Sequence, residues 1–318
     1  MITPKISVAM ITYNHEKFLK KAINSVLEQE FNGELEIIIA DDASTDNTQN
    51  IIKEYYKKFP EIIKPILRTE NIGATKNLYE VLIKCKGKYI AILEGDDYWC
   101  KKDKLRKQME FLEDDKNKEY IASVNKCYFV DENDKVIKGK ENFSFYDGEI
   151  YDINTCKKWI LSGQFGTHFF RNIFVNSKED FSIIYKASNL IGDRTLELLL
   201  SSRGKIYCFN EFMSCYRFII KEGGSNFSSI MLEKDGLLQD YKCLLNLNKY
   251  CETKLGMIDF YKEEILIRSY QILKRYLKDK NLKNKNAVLY VYSSNEYHWI
   301  VFSIKKFFDC IVRVIKKH

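Results

Sequence analysis

Over the first hundred residues, apolar runs alternate with stretches of helical period. "KISVAMITYN" (5–14) is apolar and β-branched without polar alternation, the pattern of a strand buried on both faces. In "HEKFLKKAINSVLEQE" the pairs Phe18/Leu19, Ala22/Ile23 and Val26/Leu27 recur at helical spacing. "LEIIIADDAS" (35–44) predicts a second strand, and "TDNTQNIIKEYYKKF" a second helix with Thr45 or Asp46 to cap it. "IIKPILR" (62–68), "GATKNLYEVLIKC" and "KYIAILEGDD" (88–97) continue as strand, helix, strand. That order predicts an open, parallel, doubly wound α/β sheet. "KKDKLRKQMEFLEDD" is an amphipathic helix, and the pattern then becomes mixed, with strands expected at 120–130, 165–175 and 205–219 and helices at 152–162 and 193–203. "EGGSNFSS" (222–229) is a turn-rich break. Beyond it the chain reads as helical to about residue 286, where "NAVLYVYSS" is expected to interrupt before a last helix.

In such sheets ligands bind outside the carboxyl ends of the strands. Two acidic clusters fall there, Asp41/Asp42 and Glu94/Asp96/Asp97. Alone, an acidic pair of this kind reads first as a solvated turn. Three carboxylates at the rim of an apolar strand are tolerable where a divalent cation joins them, because Mg²⁺ or Mn²⁺ takes hard oxygen ligands and completes its shell with water and phosphate. The turn after the first strand, "TYNHEKF", has no glycine, so neither a dinucleotide-binding nor a P-loop fingerprint is present.

The segments "SVAMITYNHEKFLKKAINSVLEQ", "IIIADDASTDNT", "NIGATKN", "GKYIAILEGDDYW" and "IGDRTLELLLSSRGKIYCFNEFMSCYR" come in an order that resembles family 2 glycosyltransferases of the GT-A fold, over about residues 5–225. The "EGDDYW" form is similar to that of bacterial enzymes that build capsular or other surface polysaccharides. The resemblance implies an inverting transfer from a UDP-sugar to a saccharide or lipid-linked acceptor, assisted by Mn²⁺ or Mg²⁺. Position by position it implies donor contacts at Thr12, Tyr13, Asn14, Lys76 and Asp96, with Asp42 on the uracil base. A carboxylate suits that role, since it accepts the uracil N3–H. Lys76 stands where the family often has arginine. The resemblance also implies Asp97 on the metal, with Glu94 supporting it rather than binding it, and Asp193 as the base that takes the acceptor's proton. Read by itself, Asp193 is first a helix N-cap. Trp99 and His168 are candidates for the acceptor side, each with a structural alternative, and Arg171 lies beside them. Relatives often carry YRxH, whereas this chain has "YRFI", with Ile219 at the histidine position; Arg217 or Lys221 is then left to replace that contact. A nucleotidyltransferase on a similar sheet and an inactive nucleotide-sugar-binding scaffold are the alternatives.

Composition narrows this further. The 318 residues are 45% hydrophobic and 30% charged, and the nine cysteines never fall as CxxC, which excludes a zinc site or disulfide framework and points to a reducing cytoplasm. The net charge of +7 is uneven: residues 262–318 carry +8 and the rest −1. In 299–317, Lys305, Lys306, Arg313, Lys316 and Lys317 share one arc of a helical wheel, with apolar residues on the rest. That pattern suits an in-plane helix on the anionic cytoplasmic face of a membrane, or equally packing on the domain or on a second copy in a homodimer. No nucleic-acid motif accompanies the charge. The expected organisation is a 1–225 transferase domain, with a nucleotide-sugar half at 1–110 and an acceptor half at 111–225, followed by a basic helical region, 226–318.

Overall fold

The computed structural model describes residues 5–139, 145–220, 229, 235–279 and 281–294. The chain divides into two compact units, Met1–Glu233 and Lys234–His318. The first opens as the alternation predicts: β1 (Ile6–Thr12), α1 (Leu19–Leu27), β2 (Leu35–Asp41), α2 (Thr48–Lys58), β3 (Ile63–Leu67), α3 (Ala74–Leu82) and β4 (Tyr89–Glu94). β1 lies between β2 and β4, and β2 pairs with β3, all parallel. Burial explains the unbroken apolar runs. Ile6, Val8 and Met10 share one core with Ile37, Ile39, Ala91 and Leu93, and α1 adds Leu19, Ala22, Ile23 and Val26 from a single face.

The later elements are β5 (Tyr98–Trp99), α4 (Lys104–Glu113), β6 (Tyr120–Val130), β7 (Ile150–Tyr151), α5 (Ile153–Cys156), β8 (Phe169–Arg171), α6 (Ile183–Lys186), α7 (Asp193–Ser201) and β9 (Lys205–Arg217). The sheet runs β3-β2-β1-β4-β8-β6-β9-β5, with β7 also on β9. β8 is antiparallel to both β4 and β6, and so joins the parallel half to the parallel pair β6–β9. Against β6 the register of β9 jumps from Asn125↔Phe209 to Lys126↔Phe212, an irregularity that lets one strand serve β7 near its start and β5 near its end. This is the expected α/β GT-A arrangement. The helix expected over 152–162 is only the single turn α5, and the strand expected over 165–175 shortens to β8.

The second unit holds α8 (Gly236–Tyr250), a π-turn (Cys251–Leu255), α9 (Lys262–Lys278) and α10 (Leu282–Ser294). The break expected at "NAVLYVYSS" is instead the body of α10. Ala287 and Val291, one turn apart, are both buried, so packing overrides the β-propensity of the run. The amphipathic stretch 299–317 and Lys221 lie outside the described residues. Among the described residues no helix is long and apolar enough to cross a membrane.

Candidate active site

The parallel register carries the acidic strand ends to one edge. Thr12 is paired with Asp41 and Ile11 with Glu94, and each ladder extends one bond further, from Asp42 N–H to Thr12 O and from Gly95 N–H to Ile11 O. The loops after β1 and β2 are then stitched together. Asn14 N–H donates to Ser44 Oγ, Thr45 N–H to Asn14 Oδ1, His15 N–H to Thr48 Oγ1 and Glu16 N–H to Asp46 Oδ2. Asn14 and Ala43 hold φ of 56° and 62°, left-handed values that bend the two chains across the strand ends. Thr12 is buried and its Oγ1 has no hydrogen-bond partner; Tyr13 and Asn14 are half-buried.

Asp42 is buried, and its two carboxylate oxygens accept from Ile72 N–H and Gly73 N–H at 2.9 Å. Gly73, at φ 89°, takes a conformation suited to glycine and precedes α3, where Lys76 is exposed on the first turn. Asp42 thus ties the 71–73 loop across the end of β2. Its neighbour Asp41 turns to its own loop, accepting from Ser44 and from Gln49 Nε2.

The turn after β4 separates its three carboxylates by environment. Asp97 is 2% exposed and has both oxygens engaged, Oδ1 by Arg217 N–H at 2.7 Å and Oδ2 by Gln164 Nε2 at 3.0 Å. Burial, with Asp96 and Glu94 beside it, still holds its carboxyl well above the usual range. Glu94 is pushed up to about 8, first by burial and then by the charges of Asp96 and Asp193. Asp96 is half-buried, and His15 Nε2 stands 3.7 Å from its Oδ2. Asp193, the first residue of α7, accepts from Arg194 N–H and lies close enough for its charge to reach Glu94. The structure thus brings Asp193 into one electrostatic cluster with the β4 carboxylates, 99 to 96 positions away in sequence.

Three residues act here, of which the sequence reading had named only Arg217, and for a different contact. Gln164 donates to Asp97 Oδ2 and, at 3.4 Å, to Glu94 Oε2, while its Oε1 accepts from Gly166 N–H, so every polar group of the amide has a partner. Arg217 is 2% exposed: Nε donates to Asp96 O, one terminal nitrogen to Asp131 O and the other to Asp134 Oδ1 at 2.6 Å. With its guanidinium so committed, Arg217 does not replace the contact missing at Ile219. Lys104 is fully buried over the Trp99 ring, 4.4 Å from its centroid, and bonds Gln108 Oε1; desolvation lowers its ammonium to about 7. No motif marks Gln164 or Lys104, and Gln164 and Arg217 find their partners far away in sequence.

Two expectations for the acceptor side fail on burial. Trp99 is 4% exposed with its indole N–H on Gly166 O, so it covers the core instead of stacking on a sugar. His168 is fully buried, its Nε2 2.9 Å from Glu197 Oε2 on α7 and its Nδ1 3.1 Å from Phe165 O. Ser162 N–H donates to the other oxygen of Glu197 at 2.8 Å, so the pair fastens α7 to the 162–168 loop. Arg171 is likewise structural, bonding the main-chain oxygens of Tyr120 and Leu112.

The donor chemistry fits a hard divalent cation: burial first and mutual repulsion second raise Glu94 and Asp97, and Thr12 Oγ1 beside them is unpartnered. Among the described residues no three acidic, His or Cys side chains stand in ready coordinating geometry. A cation held here would therefore take few protein ligands and need oxygens from a substrate.

The glycosyl transferase family 2 model matches residues 7–176. An uncharacterized Mycobacterium tuberculosis protein is 44% identical over 108 residues, 34% of this chain and 31% of its own length, so the match spans about a third of that relative. The putative teichuronic acid biosynthesis glycosyltransferase TuaG of Bacillus subtilis is 40% identical over 109 residues, 34% of this chain and 42% of TuaG. Among solved structures, Staphylococcus aureus TarS 1–349 in complex with UDP-GlcNAc superposes with a TM-score of 0.53 at 18% identity, covering 92% of this chain and 93% of that one. A Pyrobaculum calidifontis mannosyltransferase in complex with GDP-Man and Mn²⁺ gives 0.51 at 12%, covering 97% and 88%. At such identities the two structures speak for the fold. With more than half of its residues matched by the family model, the chain belongs to glycosyl transferase family 2.

Proposed function

We propose that this chain transfers a sugar from a UDP-sugar to a hydroxyl of a saccharide or lipid-linked acceptor, with inversion at the anomeric carbon, in the assembly of a surface polysaccharide. The observation that carries the reading is the meeting of Glu94, Asp96, Asp97 and Asp193 at the carboxyl edge of the parallel strands. TuaG, a putative teichuronic acid enzyme by name, and the UDP-GlcNAc complex of TarS support the polymer and the donor class.

Asp96 is the carboxylate best suited to hold a divalent cation, because it is half-buried and its carboxylate, among the described residues, bears no hydrogen bond from the turn, whereas Asp97 is 2% exposed and held by Arg217 and Gln164. Asp97 then fixes the turn that presents Asp96, with Glu94 beside it. The bound cation, Mn²⁺ or Mg²⁺, would supply Lewis-acid stabilisation of the leaving diphosphate. Asp42 holds the loop that closes the base end, and lone pairs remain on its oxygens to accept a uracil N3–H. Thr12, Tyr13 and Asn14 line the floor, and Lys76 offers an exposed cation on α3. Asp193 takes the proton of the acceptor hydroxyl as that oxygen attacks the anomeric carbon on the face opposite the diphosphate.

Thermal stability against UDP-, GDP-, CMP- and dTDP-sugars, with and without Mn²⁺, tests the assignment. A Mn²⁺-dependent rise with UDP-sugars that is lost in Asp96→Asn is expected. An equal response to all nucleotides, or none to any, would overturn the UDP donor site.

A further inference from the structure

The carboxylates of the β4 turn differ in how they are held. Asp97 is fixed by a main-chain N–H and an amide, and Glu94 by the same amide. Asp96, which the proposed function places on the cation, has no such tie. Its main-chain oxygen accepts from Arg217 Nε, yet among the described residues the one basic side chain within 4 Å of its carboxylate is His15, with Nε2 at 3.7 Å from Oδ2. That imidazole comes from a different element, the loop between β1 and α1. It is placed with care: the His15 N–H donates to Thr48 Oγ1, and its C=O accepts from Phe18 N–H and Leu19 N–H at the start of α1. Its side chain is 12% exposed.

Two buried polar atoms at this point have no partner, His15 Nδ1 and Thr12 Oγ1. Both lie against Gly95, where an added Cβ would sit 3.0 Å from the first and 2.7 Å from the second. The sheet therefore packs glycine between β1 and the turn so that His15 and Asp96 stand side by side. Nothing structural is satisfied by the pairing in this state: 3.7 Å exceeds a hydrogen bond, and a packing role alone would be filled by an apolar ring. With Nδ1 facing neither donor nor acceptor among the described residues, Nε2 is the ring nitrogen with a partner in reach, and that partner is Asp96.

Resting on the proposed donor site, we infer that His15 is a positioning residue for Asp96. Its Nε2–H closes onto Oδ2 when the donor's diphosphate and cation occupy the turn, leaving Oδ1 for the cation.

Calorimetric titration of UDP, in Mn²⁺ and in EDTA, decides the matter without requiring the acceptor. The proteins are wild type, His15→Phe, His15→Gln and Asp96→Asn, each checked for its thermal midpoint without nucleotide. His15→Phe keeps the ring's bulk and loses the N–H; it should weaken Mn²⁺-dependent UDP binding about tenfold or more, with binding in EDTA unchanged. His15→Gln offers an amide N–H near the Nε2 position and should stay within about threefold of wild type. The inference is overturned if His15→Phe binds as wild type does, or if Gln falls as far as Phe. Should Phe fail to fold, the Gln variant against Asp96→Asn carries the test: Gln losing the Mn²⁺ advantage as fully as Asn overturns it, and Gln retaining it supports it. If Asp96→Asn itself binds UDP and Mn²⁺ as wild type does, the donor-site reading fails first.

Discussion

Single atoms decide the acidic turn. Gly95 has no unusual φ, so its need for glycine comes from space: a methyl group would press on Thr12 Oγ1 at 2.7 Å and Thr12 Cβ at 2.8 Å. Gly95→Ala should cost about 1–3 kcal/mol, read as a lower urea midpoint at unchanged m-value. The carboxyl of Glu94 gives a second expectation. Because its folded pKa is raised from 4.5 to about 8, first by burial, the folded protein binds this proton more tightly than the unfolded chain. Its contribution is complete below pH 4.5 and is lost as pH rises through about 8. Thermal scans without nucleotide should therefore show Glu94→Gln gaining on wild type as pH goes from 5 to 8.5; a constant difference across that range would refute the assignment. Asp42, Asp96, Asp97 and Asp193 were legible in the sequence as candidates, because motif order carries chemistry. Which carboxylate is engaged by protein and which faces a ligand was not, since Gln164 and Arg217 come from 67 and 120 positions beyond Asp97.

Elements were legible in proportion to how locally they are determined. β1 to β4 and α1 to α3 follow from apolar runs and helical spacing that need no distant partner. The short α5 and β8 were over-extended, because Trp159, at φ 57°, ends the helical turn and the Gln164–Thr167 bonds form a 3₁₀ turn where a strand was expected. That 3₁₀ segment is anchored by the Glu197–His168 pair, and this bond between elements can be tested by itself. Glu197→Leu leaves Ser162 N–H buried without an acceptor and His168 Nε2 with only Ser162 Oγ at 3.4 Å, and should destabilise by about 3–5 kcal/mol. Glu197→Gln can accept from Ser162 and donate to the imidazole, so it should cost well under half as much in the same denaturant titration. Equal losses would mean that volume, not hydrogen bonding, fixes α7.

For the whole molecule, charge and fold separate. Residues 262–318 carry +8 while the remainder carries −1, and the amphipathic pattern of 299–317 places five cations on one arc. Deleting 299–318 should abolish flotation with vesicles rich in anionic lipid and leave UDP affinity unchanged. Flotation as strong as that of the intact chain would refute a membrane role for the tail. β9 has a wider consequence. The family match ends at residue 176, yet Trp99 pairs with Ser214, and Asp97 takes its bond from the main chain of Arg217. A chain shortened to 176 would keep all the donor-site carboxylates and lose the strand that holds their turn. It should bind UDP and Mn²⁺ poorly even where its parallel strands fold, and adding back a 177–220 fragment should restore binding. The smallest piece that keeps the acidic turn in place is therefore set by the far end of the domain: Asp97 and Trp99 need β9, whether it comes on the same chain or as an added fragment.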